Sequence, residues 1–388
     1  MTERSLVFDV AEFERRTAAL QEQMAARGLE ALLLTSPGDV FYVTGFLTRF
    51  WESPARPWFV VVPVRGTPVA VIPAIGAVLM RRTWVADIRT WDAPDPRDDG
   101  VGLLAEALKD LVGHAGRIGV PMGLETHVRM PLADYAALAD AIAPRVFVDG
   151  TACVQRVREV KSEPEIDKIR GICGIAGRAF DRVPDFAGAG WDLDAVLRAF
   201  QVACLQEGAD WVAYVAGGAG PGGYGDVISP ADTRALVAGD VLMLDTGCVR
   251  DGYFCDFDRN YAIGAVSDTT RRAHEALWRA TEQAIAALRP GHRASDAHAM
   301  LCSALERHGA TPSAGRLGHG LGVTLTEWPS FTPLDDTPLR PGMVFTLEPG
   351  AVIADGRTMV HEENCVMRKD GVELLSPRAP ETLPVIET

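Results

Sequence analysis

An α+β fold in two parts is what the 388 residues predict: a smaller α/β domain over 1–155, then a larger α+β domain over 156–388. Three observations carry that expectation. The chain exceeds the roughly 100–200 residues of an ordinary domain. Its hydrophobic periodicity changes character midway, from short apolar runs to long amphipathic helices alternating with pairs of strands. Between the two regimes, Ser162 followed three residues later by Glu165 is a capping-box signature.

Phe13 to about Gly28 carries apolar residues at helical spacing, Leu20 and Met24 among them, and Gly28 supplies a stop. Short apolar runs at 31–35, 58–64 and 69–74, separated by Pro and Gly, read as buried strands. Helical spacing returns at 101–113 and 131–143, so strands sandwiched by helices are expected here. Beyond the boundary, helices are predicted at 163–184, 192–207, 268–288 and 295–308. Strands are predicted at 241–249, 253–263, 343–348 and 359–368, with the helices on one face of an antiparallel sheet.

Hydrophobic residues make up 47% of the chain and charged residues 23%, which excludes wholesale disorder, collagen and coiled coil. With 52 acidic against 38 basic residues the net charge is −14, and such a surface repels phosphate backbones, so no nucleic-acid partner is expected. No apolar run approaches the length of a membrane span, and MTERSLVFDVAEFERR is charged where a signal peptide would be apolar. A cytoplasmic protein without membrane attachment is the expectation. Seven cysteines, an odd number without a CxxC pair, argue for reduced and mostly buried thiols.

The chemistry concentrates in VLMLDTGCVRDGYFCDFDRNYAI. A hairpin centred between Arg250 and Asp251 would set Asp245 opposite Asp256, two like charges destabilising each other unless a cation lies between them. VFTLEPG and MVHEENCVMR flank a second turn at Asp355–Gly356, and there Glu348 faces Glu362. Between the hairpins, His319 stands among Gly318, Gly320 and Gly322, where small neighbours permit close backbone approach. A lone Asp in a hairpin usually caps a turn, and a lone His among glycines usually belongs to a loop. Four acids at mirrored positions differ, because without cations they would leave uncompensated buried charges costing on the order of several kcal/mol each. Two Asp, one His and two Glu suit a pair of divalent ions, manganese, iron or cobalt more naturally than zinc.

This set resembles the pita-bread metallohydrolases, the family of methionine aminopeptidase, aminopeptidase P, prolidase and creatinase. An Asp, a second Asp eleven residues on, a His in GHG, a Glu in EPG and a final Glu before a strand are met by Asp245, Asp256, His319, Glu348 and Glu362. VREVKSEPEIDKIR is similar to the opening of the prolidase-like catalytic domain, and ALLLTSPGDVFYVTGF resembles the creatinase-like N-terminal domain. The resemblance implies a pita-bread catalytic domain with pseudo-twofold symmetry, a homodimer, and two ions sharing a hydroxide that attacks a carbonyl carbon. Asp245 and Asp256 would hold one ion, Asp256 and Glu362 would bridge to the second, and His319 and Glu348 would complete it, with Glu348 also handling the proton. Glu362 is favoured over its neighbour Glu363 by counting back from the Asp370–Gly371 turn.

On the substrate side the chain departs from the peptidase pattern. Thr326 stands where such members carry a second His, and the segment Gly225–Pro230, with Asp226, lacks the His they place upstream of the first metal-binding strand. Arg49 or Arg56 is expected to bind a substrate carboxylate, and Trp51 to cover an onium group, if this segment reaches a partner's site as in dimeric relatives. The resemblance thus implies a hydrolase of a small amide or Xaa-Pro dipeptide. A metabolite enzyme like ectoine hydrolase or dimethylsulfoniopropionate lyase is the alternative, and a non-catalytic binding module fits less well because all five ligand types are present.

Overall fold

Secondary structure follows the apolar runs closely in the computed structural model, which describes residues 7–53, 56–354 and 356–387. Two units emerge, dividing after Arg158.

The first unit contains helices α1 (Val10–Ala26), α2 (Pro37–Thr44), α3 (Ala77–Met80), α4 (Val101–Leu111), α5 (Leu132–Ile142) and α6 (Thr151–Arg158). Its strands are β1 (Ala31–Leu34), β2 (Phe59–Pro63), β3 (Val69–Pro73), β4 (Asp87–Trp91), β5 (Arg117–Val120) and β6 (Val146–Asp149), in the order β4-β3-β2-β1-β5-β6. The β1–β3 strands are wholly buried, which is why they read as continuous apolar runs. Strands β4 and β6 lie at the sheet edges and are partly exposed, so their composition does not announce them. Leu104, Leu108, Leu138 and Ile142 of α4 and α5 pack with Leu33, Val61, Val71 and Ile118 in one core.

The second unit carries α7 (Glu163–Asp181), α8 (Leu193–Glu207), α9 (Asp268–Ala287) and α10 (Ala294–Arg307). The capping box at Ser162 and Glu165 starts α7 as the sequence predicts. Strands β7 (Trp211–Pro221), β8 (Asp240–Arg250), β9 (Tyr253–Phe254), β10 (Phe257–Ile263), β11 (Thr311–Pro312), β12 (His319–Gly320) and β13 (Glu327–Ser330) lead to β14 (Val344–Leu347) and β15 (Gly350–Ala354). The last four are β16 (Arg357–Val360), β17 (Glu363–Arg368), β18 (Gly371–Leu374) and β19 (Val385–Ile386).

Two larger sheets form here rather than the single sheet expected, one ordered β19-β10-β8-β7 and the other β13-β12-β14-β17-β18, with β11-β15-β16 as a small third. Each half of the unit repeats one plan: two helices, then three antiparallel neighbours, β7-β8-β10 in the first and β12-β14-β17 in the second. The glycine-rich β7 was not foreseen, because glycine is depleted in strands. It is needed here, since a Cβ on Gly217 or Gly218 would lie 2.6 Å from the Met243 carbonyl or 2.5 Å from that of Asp226.

One register differs from the sequence expectation. Asp251 and Gly252 both adopt positive φ, 53° and 81°, and form the two-residue turn themselves, so Arg250 pairs with Tyr253. The ladder shifts by two residues and Asp245 is directly opposite Asp258, not Asp256. A shift of two keeps every side chain on its original face, so Asp256 remains a diagonal neighbour of Asp245. The second hairpin has the expected register: Leu347 pairs with Glu363 and Gly350 with Val360, which sets Glu348 against Glu362.

The loop following the glycine-rich His is held by a buried ion pair. Lys161 Nζ lies 3.0 Å from Glu327 Oε2, both side chains are 1% exposed, and the Thr324 amide donates to Glu327 Oε1 at 3.1 Å. Removing one partner strands the other charge. Lys161→Met should therefore lower unfolding stability by about 3–5 kcal/mol, and Lys161→Met with Glu327→Leu by less than that. Urea denaturation of both variants measures this, and an equal loss in the two would contradict it.

Candidate metal centre

Asp245 sits mid-strand in β8, Asp256 just before β10, His319 at the start of β12, and Glu348 and Glu362 at facing ends of β14 and β17. Strand alternation turns the two Asp side chains to one face, and the mirrored hairpin brings the two Glu to meet them. One carboxylate oxygen each from Asp256 and Glu362 and one ring nitrogen of His319 lie within 4.8 Å of one another. Tyr214 Oη donates to Asp245 Oδ2 at 3.0 Å and also to Asp256 Oδ1, tying the aspartates together.

His319 is aimed by its neighbours. Its backbone amide donates to Thr346 Oγ1 at 3.0 Å, and Nδ1 lies 2.8 Å from the Gly320 carbonyl, which sets Nδ1 as the donor. Nε2 then faces acids, 3.2 Å from Asp256 Oδ2 and 3.9 Å from Glu348 Oε2. The flanking glycines are required for this placement: a Cβ on Gly318 would lie 2.4 Å from the Thr346 carbonyl, and one on Gly320 2.0 Å from that of Trp328.

Further residues that sequence reasoning missed support the cluster. Asp258 accepts from the Glu362 amide at 2.6 Å and from Asn260 Nδ2 at 3.1 Å, fixing where Glu362 begins. Asn364 Oδ1 accepts from the Asp256 amide at 3.0 Å, and its amide nitrogen donates back to the Asp256 carbonyl. Asp258 was visible in the sequence, but the misplaced turn hid that it faces Asp245. Glu363, the alternative to Glu362, is spent on structure: Oε2 pairs with Arg259 and Oε1 with Arg378 at 2.9 Å.

Electrostatics mark the cluster as unstable alone. Burial, then Asp256 and Asp258, push the Asp245 carboxyl far above its usual range, and burial followed by Asp256 and Glu348 does the same to Glu362. Burial, with Asp256 adding to it, also raises Glu348. Burial works against a charged His319, yet the Asp256 hydrogen bond and Glu348 outweigh it, raising its pKa. Asp245 Oδ1 and Glu362 Oε1 are buried without a hydrogen-bond partner. Orphaned carboxylate oxygens beside an imidazole nitrogen aimed at anions are a donor set that fits divalent cations.

The residues expected at the substrate have surroundings of their own. Asp226 is exposed, and its Oδ1 accepts from the Ile228 and Ser229 amides at 2.9 and 3.1 Å, so it holds its own loop. Thr326 accepts from Arg316 Nη2 at 3.4 Å, and Arg316 Nε lies 3.5 Å from Glu348 Oε1. Arg49, Trp51 and Arg56 belong to the first unit. There Trp51 packs on Trp58 at 5.8 Å with Arg129 over its ring at 5.3 Å, and Arg56 lies over Phe50 at 5.2 Å. All seven cysteines are free, six of them buried. No helix among the described residues is long and apolar enough to cross a membrane.

Residues 167–370 match the model of metallopeptidase family M24, and residues 16–160 match the creatinase/prolidase N-terminal domain. The chain is 30% identical over 368 residues to the probable dipeptidase PepE of Mycobacterium tuberculosis, covering 94% of each. It superposes on the crystal structure of dipeptidase PepE from Mycobacterium ulcerans with a TM-score of 0.84, at 29% identity over 98% of this chain and 100% of that one. A prolidase from Thermococcus sibiricus shares the fold, with a TM-score of 0.84 at 22% identity over 97% and 99%. The chain belongs to metallopeptidase family M24, with a creatinase-type N-terminal domain followed in sequence by a pita-bread catalytic domain, and is a metal-dependent hydrolase.

The raised carboxyls give a sign for pH dependence. A carboxyl whose folded pKa exceeds its unfolded value contributes stability that is complete below the unfolded pKa and lost as pH rises through the folded one. Asp258, pushed by burial from 3.8 to about 8, loses its contribution across that window, and Asp245, Glu348 and Glu362 act in the same direction. In a chelator the thermal midpoint should therefore fall between pH 5 and pH 8. Added manganese should raise it more at pH 8 than at pH 6, because binding releases protons. Scanning calorimetry tests both; a manganese shift independent of pH would contradict the account.

Proposed function

We propose that this chain is a dinuclear metal-dependent dipeptidase that cleaves a small amide, an Xaa-Pro dipeptide or a compound of that shape. The observation that carries the reading is the cluster of Asp256, His319 and Glu362, to which Tyr214 ties Asp245 and beside which Glu348 lies 3.9 Å from the imidazole, with carboxylate oxygens of Asp245 and Glu362 left unpartnered in a buried site. The PepE relatives, named as dipeptidases, support the substrate class. Asp245 and Asp256 would hold one ion; Asp256 and Glu362 would bridge to a second, completed by His319 and Glu348. Such ions supply Lewis acidity and a nucleophile at neutral pH.

The chain's own residues do the rest. Tyr214 keeps the two aspartates in one orientation, and the Gly320 carbonyl holds the imidazole tautomer. Glu348 is the more exposed carboxylate, its side chain 18% accessible, and is suited to take the proton of the attacking nucleophile and pass it to the leaving amine. Arg316 beside it offsets part of its charge. A homodimer, with Arg49, Trp51 or Arg56 contributing to the partner's substrate site, is part of the proposal. Thr326 at the rim favours a second reading, in which the substrate is a small metabolite amide and not a peptide, since no imidazole stands there.

Two divalent ions per chain should bind on addition of manganese, iron or cobalt. Asp256→Asn and Glu348→Ala should abolish dipeptide hydrolysis while leaving the circular-dichroism spectrum intact. Elemental analysis, calorimetry and a dipeptide panel check this, and normal turnover in either variant would sink the assignment. In the same panel, Thr326→His should raise kcat/KM for Xaa-Pro dipeptides, a positioned donor being worth on the order of 10²-fold. No gain in that variant would remove the argument from the absent imidazole.

A further inference from the structure

Polar side chains around α10 have firm partners: Arg307 Nη2 donates to Gln283 Oε1 at 2.6 Å, Asp296 Oδ2 accepts from the Arg293 amide at 2.8 Å, and Arg293 pairs with Asp336 at 3.0 Å. One stripe of the same helix differs. His298, Cys302 and Glu306 follow at four-residue intervals, which stacks three side chains of metal-ligating type on one face. Six of the seven cysteines are buried and Cys302 is the exception, half-buried next to a half-buried His298 and an exposed Glu306. Its Sγ lies 3.9 Å from His298 Nδ1, and no other side-chain hydrogen bond involves either residue among those described. Two atoms bound to one tetrahedral ion, at about 2.3 Å for sulfur and about 2.0–2.1 Å for nitrogen, stand about 3.6 Å apart. A small side-chain rotation closes that difference with the helix backbone unchanged. Glu306 is near enough that its charge adds to burial in raising the Cys302 thiol.

We propose that His298 and Cys302, with Glu306 at the rim, form a separate site for a divalent ion of the zinc class, apart from the acidic cluster and independent of the hydrolase reading. As the Sγ–metal bond forms the thiol proton leaves to solvent, Nδ1 donates its lone pair, and Glu306 or water fills the remaining positions. Thiolate and imidazole favour zinc over manganese or magnesium, whereas the acidic cluster offers oxygens and one imidazole and no sulfur. The chain thus sorts cations by softness between two places, and this ion is counted apart from those of the cluster. Ala297 and Leu301 of α10 share one core with Phe345 and Leu347 of β14, the strand that leads to Glu348. An ion clamped across a turn of α10 therefore adds its binding free energy to the stability of the second unit.

The test uses the full-length, manganese-loaded protein, kept reduced, and its Cys302→Ser and His298→Gln variants. Cobalt(II) is the probe, because thiolate-bound cobalt absorbs in the near ultraviolet through sulfur-to-metal charge transfer and cobalt held by oxygen and nitrogen does not. In wild type this band should saturate at one thiolate-bound cobalt per chain; zinc should bleach it and excess magnesium should not. Cys302→Ser should lose the band, and His298→Gln should weaken cobalt binding by at least the roughly 10-fold that loss of even an outer-shell partner costs. Zinc retained after dialysis should be one equivalent lower in Cys302→Ser than in wild type, whatever number of ions the acidic cluster takes. Alkylating the accessible thiol of wild type with iodoacetamide, which needs no variant to fold, should remove the band as well. A band that survives Cys302→Ser or Cys302 alkylation belongs to another thiol and overturns the site. Equal zinc in wild type and Cys302→Ser, or a band that never saturates, overturns it too.

Discussion

Mutual repulsion of buried acids is the constraint around which the second unit is organised. Asp245, Asp256, Asp258, Glu348 and Glu362 converge, and burial raises the pKa of four of them. A fold gathers such groups only if bound cations return the cost, since an uncompensated buried charge is worth on the order of several kcal/mol. The neighbouring polar groups fit that requirement. Tyr214 and Asn364 fix the aspartates, Asp258 fixes the Glu362 amide, and Thr346 and the Gly320 carbonyl fix the imidazole. Tyr214 donates to the aspartate carboxylates, whereas Asn364 Oδ1, Asp258, Thr346 Oγ1 and the Gly320 carbonyl accept from N–H groups of the cluster residues, and Asp245 Oδ1 and Glu362 Oε1 are left unpartnered, as a set of ligands oriented by an outer layer of hydrogen bonds requires.

The repeated plan of two helices and three strands explains how such a set assembles. Either hairpin alone would carry carboxylates on a face with nothing to neutralise them. Two such faces from separate sheets, brought together, set carboxylates of both halves around one imidazole, a donor set suited to divalent cations. Glycines on β7 and around His319 let backbones approach where a Cβ would collide. This is the physical content of the family pattern: acids at mirrored hairpin positions, with a histidine admitted between them by small residues.

Much of this was legible because it rests on period-two alternation, which survives an error in the turn. Placing the turn between Arg250 and Asp251 instead of at Asp251–Gly252 gave the wrong partner for Asp245, yet kept Asp256 on the right face. What the error concealed was Asp258, whose role becomes visible only with the true register. The four long helices of the second unit were readable from amphipathic spacing and the Ser162 cap. Strand β7 was not, because its glycines answer to neighbouring backbone and not to local propensity. Tyr214 lay on that same strand and was lost with it. Arg316, whose Nε lies 3.5 Å from Glu348 Oε1, was missed for another reason: a single arginine in a glycine-rich loop has no periodic signal.

The metal side and the substrate side therefore obey different rules. Of the residues proposed as ligands, Asp245 lies mid-strand and Asp256, His319, Glu348 and Glu362 at or next to strand ends, so changing one disturbs a buried network of charges, and relatives that differ in most other positions keep the fold. Thr326, Arg316 and Asp226 sit in turns or loops, where substitution generally costs less stability than at buried strand positions. On the proposed reading, a single centre serves different amides by exchanging loop residues around it, an imidazole for the hydroxyl of Thr326 among them. The chemistry is set by atoms the fold cannot move, and the choice of substrate by atoms it can.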